Sequence, residues 1–471
     1  MAEEGDALIP GAKAGIDSGD SDRQGGIWEH LHRLPVEGAG VLVGSYNLFS
    51  ILTVHRIFAD EHTTEFTDTN RARLSEAVFF GCVVGQIVFG ILGDKIGRSR
   101  PFLFTCLFLV GGGLLCSLSP FPFTFTNTPQ NKYFVSLFTF FLLGIGIGGE
   151  YPLSAAVSAE NAAAKWRGFQ TSLVHSGQGV GHLVSALFGL ALISGLKTSQ
   201  LEAMWRLMFV LGMCAALLIL PLRLKMADTS VSLENICNDE RHPGAIWVLR
   251  QYGSRLFGTG ACWFINDIIF YGISVWMAFY LADVQAAGEG RSLRVTLVQG
   301  AMIATAALPW YFVSSWYMDK VGHKKMQLYG FFGLGCTSLV MFMLYNHIST
   351  GTASFLPWQT LLLGFLNAGP NSTIFVIASE MYPSRIRSTM HGLSAACGKL
   401  GAFLGVYIFR SLKMTHGAEY GLVFISICSF VGVLLTWFLI EEWAGKPLKN
   451  VDDAYDAARK KWKVETAGAM T

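Results

Sequence analysis

Three charged side chains, Glu150, Asp267 and Lys399, lie within stretches of the chain that are otherwise apolar enough to span a bilayer. A charged side chain at the centre of a membrane costs at least about 2.5–3.5 kcal/mol, so it usually faces a partner or a water-filled path. A carboxyl group there can take up and release a proton, and an ammonium group can attract an anion. The three residues therefore indicate a transport path.

Two polar stripes at helical spacing accompany these charges. Trp263, Asp267 and Tyr271 are four residues apart, so they lie along one helix face and can contact one ligand. Packing around a single satisfied buried acid would give the same spacing. Gln178 lies on a second polar stripe, although a glutamine can also serve to hydrogen-bond two helices together.

The composition identifies the elements that position these side chains. Hydrophobic residues make up 52% of the 471 residues and charged residues only 14%, whereas soluble domains carry about 25% charged residues. About twelve apolar runs are long enough to cross roughly 30 Å of hydrocarbon. The chain is thus predicted to be an all-α membrane protein with twelve transmembrane helices, in contact with the lipid bilayer.

Charge and cysteine usage exclude several other classes. The net charge is only +2, which argues against a nucleic-acid partner. The nine cysteines are scattered, without a CxxC motif or a Cys/His cluster, so we expect no metal site and no cofactor. We also expect that the protein is not an enzyme.

The chain repeats itself, which predicts two homologous halves. The run Gly-Ile-Leu-Gly-Asp-Lys-Ile-Gly-Arg at 90–98 has an echo 225 positions later, and a Glu/Arg pair recurs at an offset of 220. Asp94 recurs as Asp319, Glu160 as Glu380 and Arg167 as Arg387, and Arg98 ends the first copy of the run. Parallel halves with a site at their interface are typical of transporters that work by alternating access.

The predicted organisation is two pseudo-symmetric six-helix bundles joined by a linker. The segments are an N-terminal segment 1–36, a bundle 37–223, a linker 224–255, a bundle 256–440 and a tail 441–471. Basic residues concentrate in the loops of one face, so that face, the linker and both termini are predicted to be cytosolic. No apolar run precedes residue 37, and we expect no cleavable signal peptide.

The motif at 90–98 resembles the signature loop of the major facilitator superfamily, and its echo at 319–325 resembles the second copy. An aspartate beside Lys and Arg at a helix end can form a latch that closes the cytosolic mouth in one state. The alternative is a basic loop that only sets topology. Gating roles are predicted for Asp94, Arg98, Asp319, Glu160, Arg167, Glu380 and Arg387.

Within the superfamily, the chain resembles the phosphate:proton symporters. The stretch 144–154 is similar to that family's fourth-span motif Gly-Gly-Asp-Tyr-Pro-Leu-Ser, and 263–271, 369–371 and 391–399 match its seventh, tenth and eleventh spans. The resemblance implies a monomeric plasma-membrane importer of inorganic phosphate coupled to protons. It implies substrate binding by Tyr151, Gln178, Trp263, Asp267, Tyr271, Asn371 and Lys399, and proton coupling by Glu150 and Asp267.

The charges suggest how coupling would work. Two carboxylates and one ammonium near a cavity leave a net negative site, which repels an anion unless a carboxyl is protonated as phosphate binds. Lys399 is expected to offset the charge of Glu150 or Asp267, the alternative being a fixed structural salt bridge with one of them. Its offset of 221 from Gln178 suggests that the two face one another across the cavity.

The sequence departs from the family at two places and leaves other substrates open. The stretch 44–49 in the first span has no acid where relatives carry aspartates, and Glu150 replaces an aspartate. A sugar porter is disfavoured because no Pro-Glu-Ser-Pro-Arg follows the sixth span. A carrier of organophosphates or other organic anions, and a phosphate sensor without turnover, are the alternatives.

Overall fold

A computed structural model describes residues 34–61, 68–119, 129–196, 200–226, 243–286, 293–348 and 352–468. Residues 1–33, which make up most of the predicted N-terminal segment, and residues 227–242 of the predicted linker lie outside the described residues. Within the described ranges, all regular secondary structure is helical.

The helices are numbered here in chain order. They are α1 (Leu34–Glu61), α2 (Asp68–Ile96), α3 (Ser99–Leu118), α4 (Pro129–Asn161), α5 (Arg167–Gly195), α6 (Leu201–Leu224), α7 (Ala245–Ala286), α8 (Leu293–Val321), α9 (His323–Met343), α10 (Thr352–Ala368), α11 (Pro370–Glu380), α12 (Arg387–Thr415), α13 (Tyr420–Leu439) and α14 (Lys449–Gly468). A short 3-10 turn, Ala164–Trp166, precedes α5, and a four-residue helix, Tyr345–Ile348, follows α9.

Twelve membrane-length spans are present in the described part of the chain. Each of α1–α9, α12 and α13 supplies one span, and α10 and α11 together supply the tenth. The predicted fold class is confirmed. The seventh helix begins at Ala245, earlier than the expected residue 256, and the tail contains the helix α14.

Packing groups the helices into two sets that meet along four helices. In the first set α1 packs on α5, α2 on α4 and α3 on α6; in the second α7 packs on α12, α9 on α13 and α8 on α10. Across the interface, α2 packs on α12 and α5 on α8. The interface is therefore lined by helices that carry the repeated motifs at their ends.

Glycines allow the closest of these approaches. A side chain at Gly148 would overlap the carbonyl of Cys82, which lets the backbones of α2 and α4 touch. A side chain at Gly392 would overlap the carbonyl of Gln86, and one at Gly90 would lie 2.6 Å from the Ser388 carbonyl, both between α2 and α12. Small residues at such crossings let the helix backbones approach closely. In a membrane, this close van der Waals packing stabilises the association of helices.

The tenth span is broken at Gly369. Helix α10 ends at Ala368, and α11 starts with Pro370, whose missing N–H suits the first turn of a helix. The Ser372 hydroxyl donates to the carbonyl of Asn367 at 2.7 Å and so satisfies a group freed by the break. Broken backbone at membrane depth is tolerated where it is buried in protein or lines a cavity.

Candidate substrate site and latches

A buried ion pair between α7 and α12 forms the centre of the candidate site. The Lys399 ammonium donates to the Asp267 carboxylate at 2.9 Å and to the Tyr271 hydroxyl at 3.1 Å. Both charged residues are only 3% exposed. The pairing of Lys399 with an acid was expected from the sequence, and the partner is Asp267.

Other sequence-predicted ligands lie around this pair. Tyr151 presents its ring 5.6 Å from the Lys399 ammonium, and its hydroxyl donates to the Gln178 amide oxygen at 3.3 Å. Trp263 packs so closely on Gly398, the residue before Lys399, that a side chain there would overlap the indole. We call the set Tyr151, Gln178, Trp263, Asp267, Tyr271, Asn371 and Lys399 the central site.

Asn371 reaches the central site from the first turn of α11. Its amide donates to the Tyr311 hydroxyl at 2.8 Å and to the Asn367 oxygen at 3.0 Å. Tyr311, on α8, was not singled out from the sequence. It lies 225 positions after Gln86, but Gln86 carries no sequence signal of its own, so the repeat alone did not point to Tyr311.

Glu150 does not lie beside Lys399, which corrects the expectation that both acids share one cavity with that ammonium. Its carboxylate accepts hydrogen bonds from Arg223 at 2.8 Å and from the Thr105 hydroxyl at 2.6 Å. Consecutive residues of a helix point about 100° apart because 3.6 residues complete a turn. With Tyr151 turned toward the central site, Glu150 is therefore turned into the first helix set.

The Glu150–Arg223 pair is sealed against α1. A side chain at Gly40 would overlap both the Glu150 carboxylate and the Arg223 guanidinium, so glycine is required there. The guanidinium also lies 3.8 Å from the centre of the Phe102 ring. Arg223 was overlooked in the sequence because it ends the sixth span, where a basic residue resembles a topology signal.

The motif aspartates cap helices of the opposite set. Asp94 accepts from the backbone N–H groups of Ser388 and Thr389 at 3.1 and 2.7 Å, at the N-terminus of α12. Asp319 accepts from those of Gly168 and Phe169 at 3.0 and 2.7 Å, at the N-terminus of α5. A carboxylate at a helix N-terminus satisfies free N–H groups and complements the helix dipole.

Ion pairs link the Asp94 cap to Glu160 and Arg387, and we call this group of residues the first latch. Arg98 donates to Asp94 at 2.6 Å and to Glu160 at 2.8 Å, and Arg387 donates to Glu160 at 3.0 Å. Burial by itself lowers the pKa of Arg98, but the carboxylates of Glu160 and Asp94 outweigh it and raise the pKa above its ordinary value. The guanidinium therefore stays charged.

The second latch repeats this arrangement around Asp319. Arg167 donates to Glu380 at 2.7 Å, and the His323 ring lies 2.8 Å from the same carboxyl group. His323 thus occupies the place that Arg98 has in the first latch, 225 positions earlier. Arg167 also donates to the carbonyl of Lys446, at the start of the tail, at 2.7 Å. We call this end of the molecule the latch end.

Aromatic rings cover the central site on the side away from the latches. The Phe79 ring lies 5.1 Å from that of Tyr271 and the Phe49 ring 6.3 Å from that of Phe270. Farther along α1, Arg56 reaches α8 and donates to the Thr296 carbonyl at 3.5 Å. In this conformation, ion pairs close the space between the helix sets at the latch end, and aromatic rings narrow it at the other end.

Comparison with known proteins identifies the family. The profile of the Major Facilitator Superfamily matches residues 43–406. The chain belongs to this superfamily. It is 30% identical to a putative inorganic phosphate transporter 1-13 of Oryza sativa subsp. japonica, over 90% of this chain and 91% of that one. It is 29% identical to inorganic phosphate transporter 1-6 of the same plant, over 91% and 93%.

Solved structures of the superfamily share the fold. The proton:xylose symporter XylE, bound to 6-bromo-6-deoxy-D-glucose, superposes with a TM-score of 0.74 at 18% identity, covering 90% of this chain and 98% of that one. At that identity the likeness concerns the architecture alone.

Proposed function

We propose that this superfamily member imports inorganic phosphate together with protons by alternating access. Its latch end and both termini would face the cytosol, in the plasma membrane, and it would act as a monomer. The relatives named as inorganic phosphate transporters support the substrate. The observation that carries the coupling is the buried Asp267–Lys399 pair at the centre of the interface.

Charge balance explains why protons would accompany phosphate. Glu150 is neutralised by Arg223, and Asp267 by Lys399, so the empty site is neutral rather than negative. A phosphate monoanion added to this site would leave one uncompensated negative charge at membrane depth, which is costly. Protonation of Asp267 removes that charge and releases the Lys399 ammonium to the anion. We therefore assign the coupling proton to Asp267 and not to Glu150.

The neutral donors would complete the phosphate shell. Phosphate oxygens accept hydrogen bonds from an ammonium, from tyrosine hydroxyls, from amide N–H₂ groups and from an indole N–H. Lys399, Tyr271 and Tyr151 would contribute from one side of the central site. Trp263, Gln178 and Asn371 would contribute from the rest, with protonated Asp267 donating as well.

The latches would control which side is open. Each links one helix set to an N-terminus of the other through charge-assisted hydrogen bonds, which are about twice as strong as neutral ones. Parting the sets at this end requires both aspartates to leave their N–H groups. The resulting opening would let water reach Asp267, ionise it and expel the anion.

Uptake by the purified protein in liposomes tests the proposal. Labelled phosphate should accumulate with an inward proton gradient and should only equilibrate without one. Excess unlabelled phosphate should compete, while organophosphates and sugars should not. Competition by organophosphates would favour the organic-anion alternative. Binding without uptake would favour a sensor and contradict import.

A further inference from the structure

Three polar side chains lie between the central site and the latches with no hydrogen-bond partner among the described residues. They are Gln86 on α2, His175 on α5 and His391 on α12. All are at most 1% exposed, and both polar atoms of each side chain are unsatisfied. The backbone of Asn371 lies near the His175 ring and that of Phe375 near the His391 ring, but neither contact has hydrogen-bond geometry.

The two imidazoles flank one aromatic ring at the interface. The centroid of Phe375 lies 4.7 Å from that of His175 and 5.1 Å from that of His391. His175 belongs to the first helix set, whereas His391 and Phe375 belong to the second. Separation of the sets at the latch end would therefore part His175 from the other two rings and open space between the histidines.

The depth of these residues places them on the way out of the central site. His391 is four residues from Arg387 of the first latch and eight from Lys399, which corresponds to about 6 Å and 12 Å along α12. On α5, His175 lies eight residues from Arg167 and three from Gln178, or about 12 Å and 4.5 Å. An anion leaving toward the latch end would pass them.

The unsatisfied groups need a physical explanation. Leaving a buried donor or acceptor without a partner costs about 1–3 kcal/mol, so several together are unfavourable in the state described. That cost disappears if the groups meet a polar ligand or water in another state. Neutral imidazoles and an amide offer both donors and acceptors, which suit the P–O and P–OH groups of phosphate.

Resting on the proposed function, we propose that Gln86, His175 and His391 form a second phosphate subsite. Phosphate would occupy it after the latches open and before release from the latch end. We call these three residues the inner subsite. In the closed state Phe375 packs against both imidazoles, in the space that the anion would take.

Replacing the two histidines by phenylalanine distinguishes a role in phosphate binding from a role in packing. His175→Phe and His391→Phe keep an aromatic ring against Phe375 but remove the polar atoms. We expect phosphate release at the latch end, measured as efflux from loaded liposomes, to slow by about tenfold or more, since one hydrogen bond to a charged ligand corresponds to at least that factor. Thermal stability should be unchanged or higher because unsatisfied polar groups are removed.

Three further variants make the test specific. His175→Gln and His391→Gln restore polar atoms and should recover most of the release rate. His182→Phe, on the same helix but beyond the central site, where its ring stacks on Phe49 at 3.9 Å, should leave release unchanged.

Wild-type rates with the phenylalanine variants, or equal slowing by phenylalanine and glutamine, would overturn the subsite. Loss of folding on removing the imidazoles would overturn it too, because it would mean that the rings have structural partners. The wild-type protein in the same liposomes provides the reference. If it moves no phosphate, the proposed function fails, whereas normal wild-type transport with insensitive variants refutes the inner subsite alone.

Discussion

Two buried carboxylate–cation pairs lie at membrane depth, and their surroundings differ. Asp267 and Lys399, on two helices of the second set, meet at 2.9 Å beside the Tyr271 hydroxyl and face Tyr151 of the first set. Glu150 and Arg223 meet at 2.8 Å inside one set, sealed by Gly40 of α1. A charge in a span is therefore a poor guide to function by itself. Its position relative to the interface between the helix sets distinguishes the two pairs.

Removing the charge of Glu150 should destabilise the protein more than any other change considered. Glu150→Gln leaves the Arg223 guanidinium buried without its counter-charge, which should cost about 3–5 kcal/mol of stability. Thermal or denaturant unfolding of the purified protein measures this. The double variant Glu150→Gln with Arg223→Met should recover stability and retain proton-driven accumulation of phosphate. A folded double variant that no longer accumulates phosphate would return Glu150 to the coupling mechanism.

Substitution of Asp267, the acid that faces the interface, should have the next largest effect. Asp267→Asn keeps a hydrogen-bond acceptor for Lys399 but cannot exchange a proton. Because it also leaves that buried ammonium without its counter-charge, transport is compared per folded protein. Accumulation against a gradient should fall by about 100-fold or more, corresponding to at least about 2.7 kcal/mol. Uptake with and without a proton gradient provides the measurement. Accumulation at the wild-type level would show that another group carries the proton.

Lys399 allows a sharper comparison of the two pairs. Lys399→Gln removes a charged donor to phosphate, so binding should weaken by roughly 10- to 100-fold, as expected for about 1.5–3 kcal/mol. Equilibrium binding of labelled phosphate to the purified variant measures the change. Arg223→Gln is the matched control, since it removes a cation at similar burial, and its folded fraction should bind phosphate as the wild type does. Equal weakening in both variants would contradict the distinction.

The latches should give the smallest change. Asp94→Asn and Asp319→Asn each weaken contacts to a helix N-terminus and should favour the open latch end by about 1 kcal/mol, roughly a fivefold shift in population. Spin labels on the exposed Lys95 and Lys320 report the distance between the sets at this end. The two variants should behave alike, with little effect on phosphate affinity. A large loss of affinity with unchanged distances would mean that the aspartates act on the substrate.

The sequence predicts the spans and the repeated motifs better than the contacts between buried side chains. Twelve spans follow from hydropathy, and the recurrence of Asp94 as Asp319 anticipates equivalent latches because homologous halves repeat their contacts. The pairing of Glu150 with Arg223 could not be predicted, since the partners are 73 residues apart and their meeting depends on the rotation of three helices. The break at Gly369 and the contact of His175 with Phe375 likewise arise from packing between distant segments.

We propose that Asp267 takes up a proton when phosphate binds. Calorimetric titration of the purified protein with phosphate, in buffers that differ in ionisation enthalpy, measures the protons taken up on binding. We expect uptake of about one proton for each phosphate monoanion in the wild type and in the Glu150→Gln, Arg223→Met double variant, and none in Asp267→Asn. Equal proton uptake by wild type and Asp267→Asn would contradict it.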